Sequence, residues 1–322
     1  LSRARDGRSL SGSGSISRHM KLVRGFLPLA LAVTILCPEI QANAHLSQVA
    51  LVTIRGVPAF DAVRSGLTDE IPGALIVELE PDLSDARAEL EELQRLQPSV
   101  VVVLGTPAAM AVDEYLPATP RLFAMVLDAA RLGPPRRNRS GFTLNLDPAA
   151  RIAALQKLIT PLRNIVVLRG PDGEAEASAL TRFGSAEGIT VRVVTIENAA
   201  RLEKALAGIT GEAQVVVLTT EALFLKDEVN EALLLRAFEA RLPVVGFTER
   251  QVRLGGMASL EIDYRDHGRE LARAAVVLGS GSESPLVRPA SSYHWILNSR
   301  SARALNVSIP GDMLSGAGEG IR

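Results

Sequence analysis

The sequence is poor in the residues that most often carry chemistry. Its 322 residues include a single cysteine, four histidines and 4% aromatic residues. The lone cysteine, Cys37, has no partner within the chain for a disulfide or a multi-thiolate metal site. His45, His267 and His294 follow the N-terminal region, and none stands at ligand spacing from another or from a carboxylate pair, which argues against zinc. No G-x-S-x-G elbow and neither common glycine-rich phosphate loop occurs, so hydrolases and nucleotide-dependent enzymes find no motif. Charge of one sign is also missing: 35 Lys+Arg face 36 Asp+Glu, leaving no basic field to hold a nucleic-acid backbone. Long hydrophobic runs are absent too. The apolar stretch Gly25 to Leu36 falls short of the roughly 20 residues that cross a bilayer.

What the chain does contain is 47% hydrophobic residues, enough to build packed cores and to exclude a disordered chain. Residues 20–44 read as a secretory leader. Lys21 and Arg24 form a positive start, Gly25 to Leu36 the apolar segment, and Ala42-Asn43-Ala44 a small-x-small cleavage site. Cleavage after Ala44 removes Cys37, and the bulky Leu36 before that cysteine argues against a lipid anchor. Residues 1–19 lie upstream of a normal start at Met20 and are read as extraneous to the fold. The expected location is the periplasm, with no membrane span in the mature form.

From residue 45 onward, strand and helix signals alternate. Short β-branched runs, bounded by Gly, Pro or polar residues, predict strands at Gln48–Ile54, Ala74–Leu79, Val100–Leu104, Leu122–Leu127, Asn164–Leu168, Thr190–Ile196, Gln214–Leu218 and Pro243–Phe247. Between them, apolar residues three and four apart (Leu83, Leu90, Leu93; Val229, Leu233, Ala237) suit helices lying on a sheet. Such alternation predicts an α/β fold of two doubly wound parallel-sheet lobes, built from residues 45–146 and 147–256. Beyond Gly255-Gly256, a strand (257–262), a helix (263–278), a strand (293–297) and a short helix (299–305) are too few for a third domain and are expected to complete the two sheets. In Asp263-Tyr264-Arg265-Asp266-His267 the sequence predicts a helix N-cap and a solvated first turn rather than an acid-base cluster.

The candidate ligand site follows from strand ends. Val100 to Leu104 runs through Gly105 into Thr106-Pro107-Ala108, a helix start whose free N–H groups and Thr106 hydroxyl suit a carboxylate. It lies at the carboxyl end of a parallel strand, where open α/β sheets bind ligands. A matching strand end at Val215 to Leu218 leads into Thr219-Thr220-Glu221, and Glu221 is expected to offer a carboxylate across the cleft from Thr106 to an amino-bearing ligand. Arg55, just after the first strand, is a further charged candidate.

Several strings together resemble the periplasmic substrate-binding proteins of ABC transporters, in the branch that includes tryptophan- and tyrosine-uptake proteins. They are Pro58-Ala59-Phe60-Asp61, Leu104 to Ala108, Leu122 to Asp128, Ser140-Gly141-Phe142, Leu242 to Phe247, Gly255 to Ser259 with Ile262-Asp263-Tyr264, and Leu297-Asn298 to Pro310. The resemblance implies a type I binding protein with three crossovers and a hinge that closes on a small molecule. It assigns 257–285 to the first lobe, 286–312 to the second and 313–322 to a tail. It implies ligand contacts from Arg55, Phe60, Gly105, Thr106, Pro107, Ala108 and Asp128 in one lobe, and from Thr220, Glu221, Phe224 and Thr248 in the other. An inner-membrane ABC permease is the implied partner. No cofactor, metal, catalytic residue or enzymatic activity is implied. The chain departs from the amino-acid binders at Glu221-Ala222, where an Asp-Asn pair is usual, and at Gly170-Pro171-Asp172-Gly173, where an Asn-rich loop is usual. Apolar Leu223, Phe224 and Leu225 would equally suit a greasier ligand. The alternatives are a sensor for a membrane signalling partner and a periplasmic carrier of a lipid-like ligand.

Overall fold

The computed structural model describes residues 48–127, 129–134, 136–209, 213–281 and 286–316. The leader 20–44, the upstream segment 1–19, the expected site residue Asp128 and the last residues of the tail, 317–322, lie outside the described residues.

Twelve strands among the described residues form two six-stranded sheets. The first holds β1 (Val49–Ile54), β2 (Leu75–Leu79), β3 (Val100–Leu104), β4 (Arg121–Val126), β5 (Arg139–Leu146) and β11 (Val287–Ala290), in the order β11-β5-β4-β3-β1-β2. All its pairings are parallel. The second holds β6 (Asn164–Arg169), β7 (Thr190–Thr195), β8 (Val215–Leu218), β9 (Val244–Gly246), β10 (Ala258–Ile262) and β12 (Tyr293–Leu297), in the order β12-β10-β9-β8-β6-β7. Here only β12 runs antiparallel, against β10.

Helices cover both faces of each sheet, which is why central strands such as Val100–Leu104 and Val215–Leu218 are apolar at every position. On the first sheet, α2 (Ala86–Arg95) and α3 (Thr106–Tyr115) bury Leu90, Leu93 and Val112 on one face. On the other face α1 (Pro58–Glu70) and α9 (Tyr264–Gly279) bury Val63, Leu67 and Leu271. The second sheet is covered on one face by α4 (Pro148–Leu158), α5 (Glu174–Ala186) and α10 (Ser299–Ala304), and on the other by α6 (Leu202–Ala207) and α7 (Asp227–Glu239). Two short helices, α8 (Glu249–Arg253) and α11 (Gly311–Gly316), complete the set.

The chain passes between the sheets three times: from β5 into α4, from β10 into α9, and from β11 into β12. Two expected boundaries therefore move. Residues 257–262 belong with the second lobe, because Ala258 and Ser259 pair with Val245 and Gly246 of β9 and the whole strand pairs with β12. The chain leaves only at Asp263, whose side chain accepts from the Asp266 N–H and starts α9. Residues 287–290 belong with the first lobe, where Val287 pairs with Gly141. Beside the crossovers, Leu146, Leu260, Ile262 and Ala290 form a small shared cluster with Tyr264, Tyr293 and Trp295 packed against it.

Helix α9 sits unusually near α1. A Cβ at Gly66 would lie 1.8 Å from the Arg265 carbonyl oxygen, and one at Gly268 would lie 2.1 Å from that of Val63. Only glycine at both positions lets the two backbones touch.

Candidate functional site

The carboxyl ends of the strands from both sheets converge on a cavity of about 120 Å³. From the first sheet it is lined by Met125, Leu127, Leu144 and Leu146; from the second lobe by Thr220, Leu225, Phe247, Thr248, Leu260 and Ile262; Tyr264 stands at the crossover. Among the described residues its wall is mostly apolar, and its polar side chains are two threonines and one phenol. Met125 occupies the left-handed region, at φ 56°, where the register of β4 against β5 shifts. A non-glycine residue in that region is strained, and such strain is concentrated at ligand clamps and switch regions.

Two residues expected from the sequence, Thr220 and Thr248, line this cavity. Both are held by the lobe's own framework. The Thr220 N–H donates to Glu176 Oε2 at 2.7 Å, and Glu176 is ion-paired with Arg151 in a fully enclosed setting. Arg151 also donates to the Leu218 carbonyl at 2.5 Å. Burial pushes the Glu176 carboxyl up and the Arg151 guanidinium down, and their mutual attraction opposes both shifts. Thr248 starts α8 in a reciprocal capping pair with Gln251.

The expected helix start is built as predicted on the first lobe. Gly105, at φ 85°, precedes α3 without any side-chain cap, and Pro107 has no N–H to satisfy. Among the described residues no side chain accepts from the Thr106 or Ala108 N–H, and the Thr106 side chain is partly exposed. Phe60 lies against Gly105: a Cβ there would come within 2.9 Å of the Phe60 Cζ. Ala108 is buried in the core.

Three expected site residues are placed otherwise. Glu221 does not face Thr106. Its carboxylate accepts from the Gly170 N–H at 2.6 Å, the Asp172 N–H at 3.1 Å and the Thr219 hydroxyl, and it is 2% exposed. The physical reason is the loop 170–173, which wraps the carboxylate so tightly that Cβ atoms on Gly170 or Gly173 would each lie 2.4 Å from its oxygens. The donors left by the β6–α5 turn are thus filled by the chain's own anion. Phe224 is 0% exposed and packs among Val216, Leu218, Val229 and Leu233, while its neighbour Leu225 turns to the cavity. Arg55 is exposed, and its guanidinium pairs with Glu80 and lies 4.0 Å from Glu78.

Sequence reasoning missed the apolar lining: Met125, Leu127, Leu144, Leu146, Phe247, Leu260 and Ile262. Their signal was position at or just past the carboxyl ends of β4, β5, β9 and β10, where open sheets bind ligands. Tyr264 was read only as part of a helix start. Its hydroxyl lies 3.1 Å from Glu261 Oε1, and burial raises both groups' pKa values above their ordinary range. Among the described residues no group of three or more His, Cys, Asp or Glu could hold a metal ion.

The two sheets, the three crossovers and a cavity at facing strand ends form the frame of a type I binding protein, and the sequence supplies the rest of the assignment. Residues 48–321 match the model of a family described as ABC transporter substrate binding protein. The chain belongs to that family. Members of this family bind substrates for transport and are not enzymes. Among curated sequences none matches the chain. Solved structures of the same fold include a ligand-free, open substrate-binding protein with adhesive properties from Clostridium difficile (18% identity, TM-score 0.67, covering 83% of this chain and 97% of that one). Another is an ABC domain in complex with L-Trp from Streptococcus pneumoniae (16% identity, TM-score 0.58, covering 85% and 99%). A third is a conserved domain protein from Vibrio cholerae O1 biovar El Tor (22% identity, TM-score 0.57, covering 84% and 98%). At these identities the likeness concerns the fold. Among the described residues, no helix of this substrate-binding protein is long and apolar enough to cross a membrane.

Proposed function

We propose that this substrate-binding protein is the periplasmic receptor of an ABC uptake system, closing its lobes on a small organic carboxylate and presenting it to an inner-membrane permease. The observation that carries this reading is the cavity lined from both lobes, beside three chain crossings that can act as a hinge. Closure on a ligand shared by both lobes couples occupancy to shape, so a permease can distinguish loaded from empty protein. The carboxylate would meet the Thr106 N–H and hydroxyl at the start of α3, with Phe60 beside it. The leader at residues 20–44 supports export.

A thermal-shift screen of the full chain against carboxylates, amino acids, sugars and purines tests the reading, because a ligand that binds only the folded state raises Tm by mass action. A carboxylate hit weakened by Thr106→Ala supports it. A hit confined to sugars or purines refutes the carboxylate assignment. The apolar lining also favours a second reading, a periplasmic carrier of a lipid-like molecule, which a shift from long-chain lipids alone would support.

A further inference from the structure

We infer that the polar corner of the interlobe cavity receives a protonated nitrogen of the ligand, met by the Tyr264 and Thr220 oxygens, with Glu261 behind Tyr264 as the positioning acid. This rests on the uptake-receptor reading above and deepens it, naming one group that the ligand carries and the residue that selects for it.

Two independent observations carry the inference. The first is the direction of the hydrogen bonds. Of the three polar side chains that line the cavity, two spend their proton inside the protein. The Tyr264 hydroxyl lies 3.1 Å from Glu261 Oε1, and burial keeps this phenol protonated, so it donates to the carboxylate. The Thr220 hydroxyl donates to Glu176 Oε1 at 3.4 Å. Each oxygen is left with lone pairs, which accept from a ligand and cannot donate to one. Thr248, the third, accepts from the Gln251 N–H at 3.4 Å. A corner built this way matches N–H groups.

The second observation is a negative charge without a cation. Glu261 is partly buried on β10, opposite His294 of β12, and burial raises its carboxyl above the ordinary range. Among the described residues it accepts only from the Tyr264 hydroxyl and, at 3.1 Å, from the Glu249 N–H, and no Lys or Arg pairs with it. A carboxylate offers about four lone-pair sites, so about two stay open. Capping α8 does not require this acid, because Thr248 and Gln251 already cap each other there. Other acids at the strand ends differ. Glu221 holds three donors at 2% exposure, and Glu176 is paired with Arg151. A ligand cation on the Tyr264 oxygen gives Glu261 the attraction it lacks, and recovers from the carboxylate part of what it loses on leaving water.

The test is isothermal titration of the full chain at pH 7.5 with matched pairs: L-leucine against 4-methylpentanoate, L-phenylalanine against 3-phenylpropionate, and 3-methylbutylamine against 3-methylbutan-1-ol. The amine-bearing member of each pair should bind at least about tenfold tighter. Glu261→Gln keeps an acceptor for the Glu249 N–H but removes the charge. It should cut the amine preference by about tenfold, with unchanged far-UV circular dichroism as the folding control. In the parent protein, affinity for the amines should fall between pH 7.5 and 5 as Glu261 takes up a proton, by up to about tenfold per pH unit. The groups facing Glu261 are Tyr264 from α9, Glu249 from α8 and His294 from β12. Since a histidine ordinarily titrates in this range, His294→Gln is the control: it should keep the fall, whereas Glu261→Gln should abolish it. A purely structural Glu261 would leave the preference and the pH profile unmoved. Des-amino partners binding as tightly as the amines, or an amine preference unchanged by Glu261→Gln, would overturn the inference and leave the uptake reading standing. Binding of sugars or purines alone would overturn both. Silence from every amine-bearing probe counts against the inference as well.

Discussion

Replacing Arg151 by Met should be among the most damaging single changes in the second lobe, through an identifiable charge. Arg151 is 1% exposed and Glu176 6% exposed; the guanidinium pairs with the Glu176 carboxylate and donates to the Leu218 carbonyl at 2.5 Å. Methionine has nearly the same reach but carries no charge. Breaking a buried pair by removing one partner costs about 3–5 kcal/mol, and the orphaned Leu218 carbonyl adds about 1 kcal/mol. With a urea m-value of about 3 kcal/mol/M, the unfolding midpoint should fall by about 1.5 M. The pH dependence separates this mechanism from simple loss of packing. Without Arg151 the largest effect opposing burial is lost, and the Glu176 carboxyl rises further above the ordinary value of 4.5. An acid whose folded pKa is raised contributes stability below its unfolded pKa and loses it as pH rises through the folded value. The deficit of the variant should therefore shrink as pH falls from 7.5 toward 5. Adding Glu176→Gln should recover much of the loss at pH 7.5, since the amide oxygen can still accept from the Thr220 N–H. A midpoint shift below about 0.3 M in urea, or a deficit equal at both pH values, would refute the reasoning, since the first corresponds to less than about 1 kcal/mol.

Three further outcomes follow from other contacts. Gly268→Val places a side chain 2.1 Å from the Val63 carbonyl oxygen, so α9 must lift from α1; differential scanning calorimetry should show a loss of about 3 kcal/mol, and an unchanged Tm would mean the helices are not in backbone contact. Phe224→Ala should cost about 3–5 kcal/mol of stability as a core cavity while leaving ligand affinity nearly intact; the opposite pattern would put Phe224 in the cleft. Burial raises the Glu261 carboxyl despite the hydrogen bonds from Tyr264 and the Glu249 N–H. Its contribution is therefore present below pH 4.5 and lost as pH rises through the elevated value. Glu261→Gln should flatten that decline in Tm between pH 4.5 and 7.5, and an identical slope in both proteins would count against it.

The sequence by itself determined the α/β class and most of the strands. Runs such as Val100–Leu104 and Val215–Leu218 are legible because a strand buried on both faces must be apolar throughout, a demand made residue by residue. The two strands it left unread break that rule. β5 carries Arg139, Gly141 and Asn145, and β11 is an edge strand containing Pro289, tolerated only because one side of it has no partner. The helix start at Gly105-Thr106-Pro107 was equally legible, since proline at the first turn and glycine before it are local constraints.

What only the tertiary structure decided concerns relations between distant residues. Which sheet receives 257–262 depends on pairing with β9 and β12, and nothing in Ala258–Ile262 alone names those partners. The fate of Glu221 was decided by Gly170 and Asp172, about fifty residues earlier, whose N–H groups reach its carboxylate first. Phe224 and Leu225 are both apolar and adjacent, yet one fills the core and the other lines the cavity. A turn of the backbone separates them, and hydrophobicity, which has no direction, could not have told them apart.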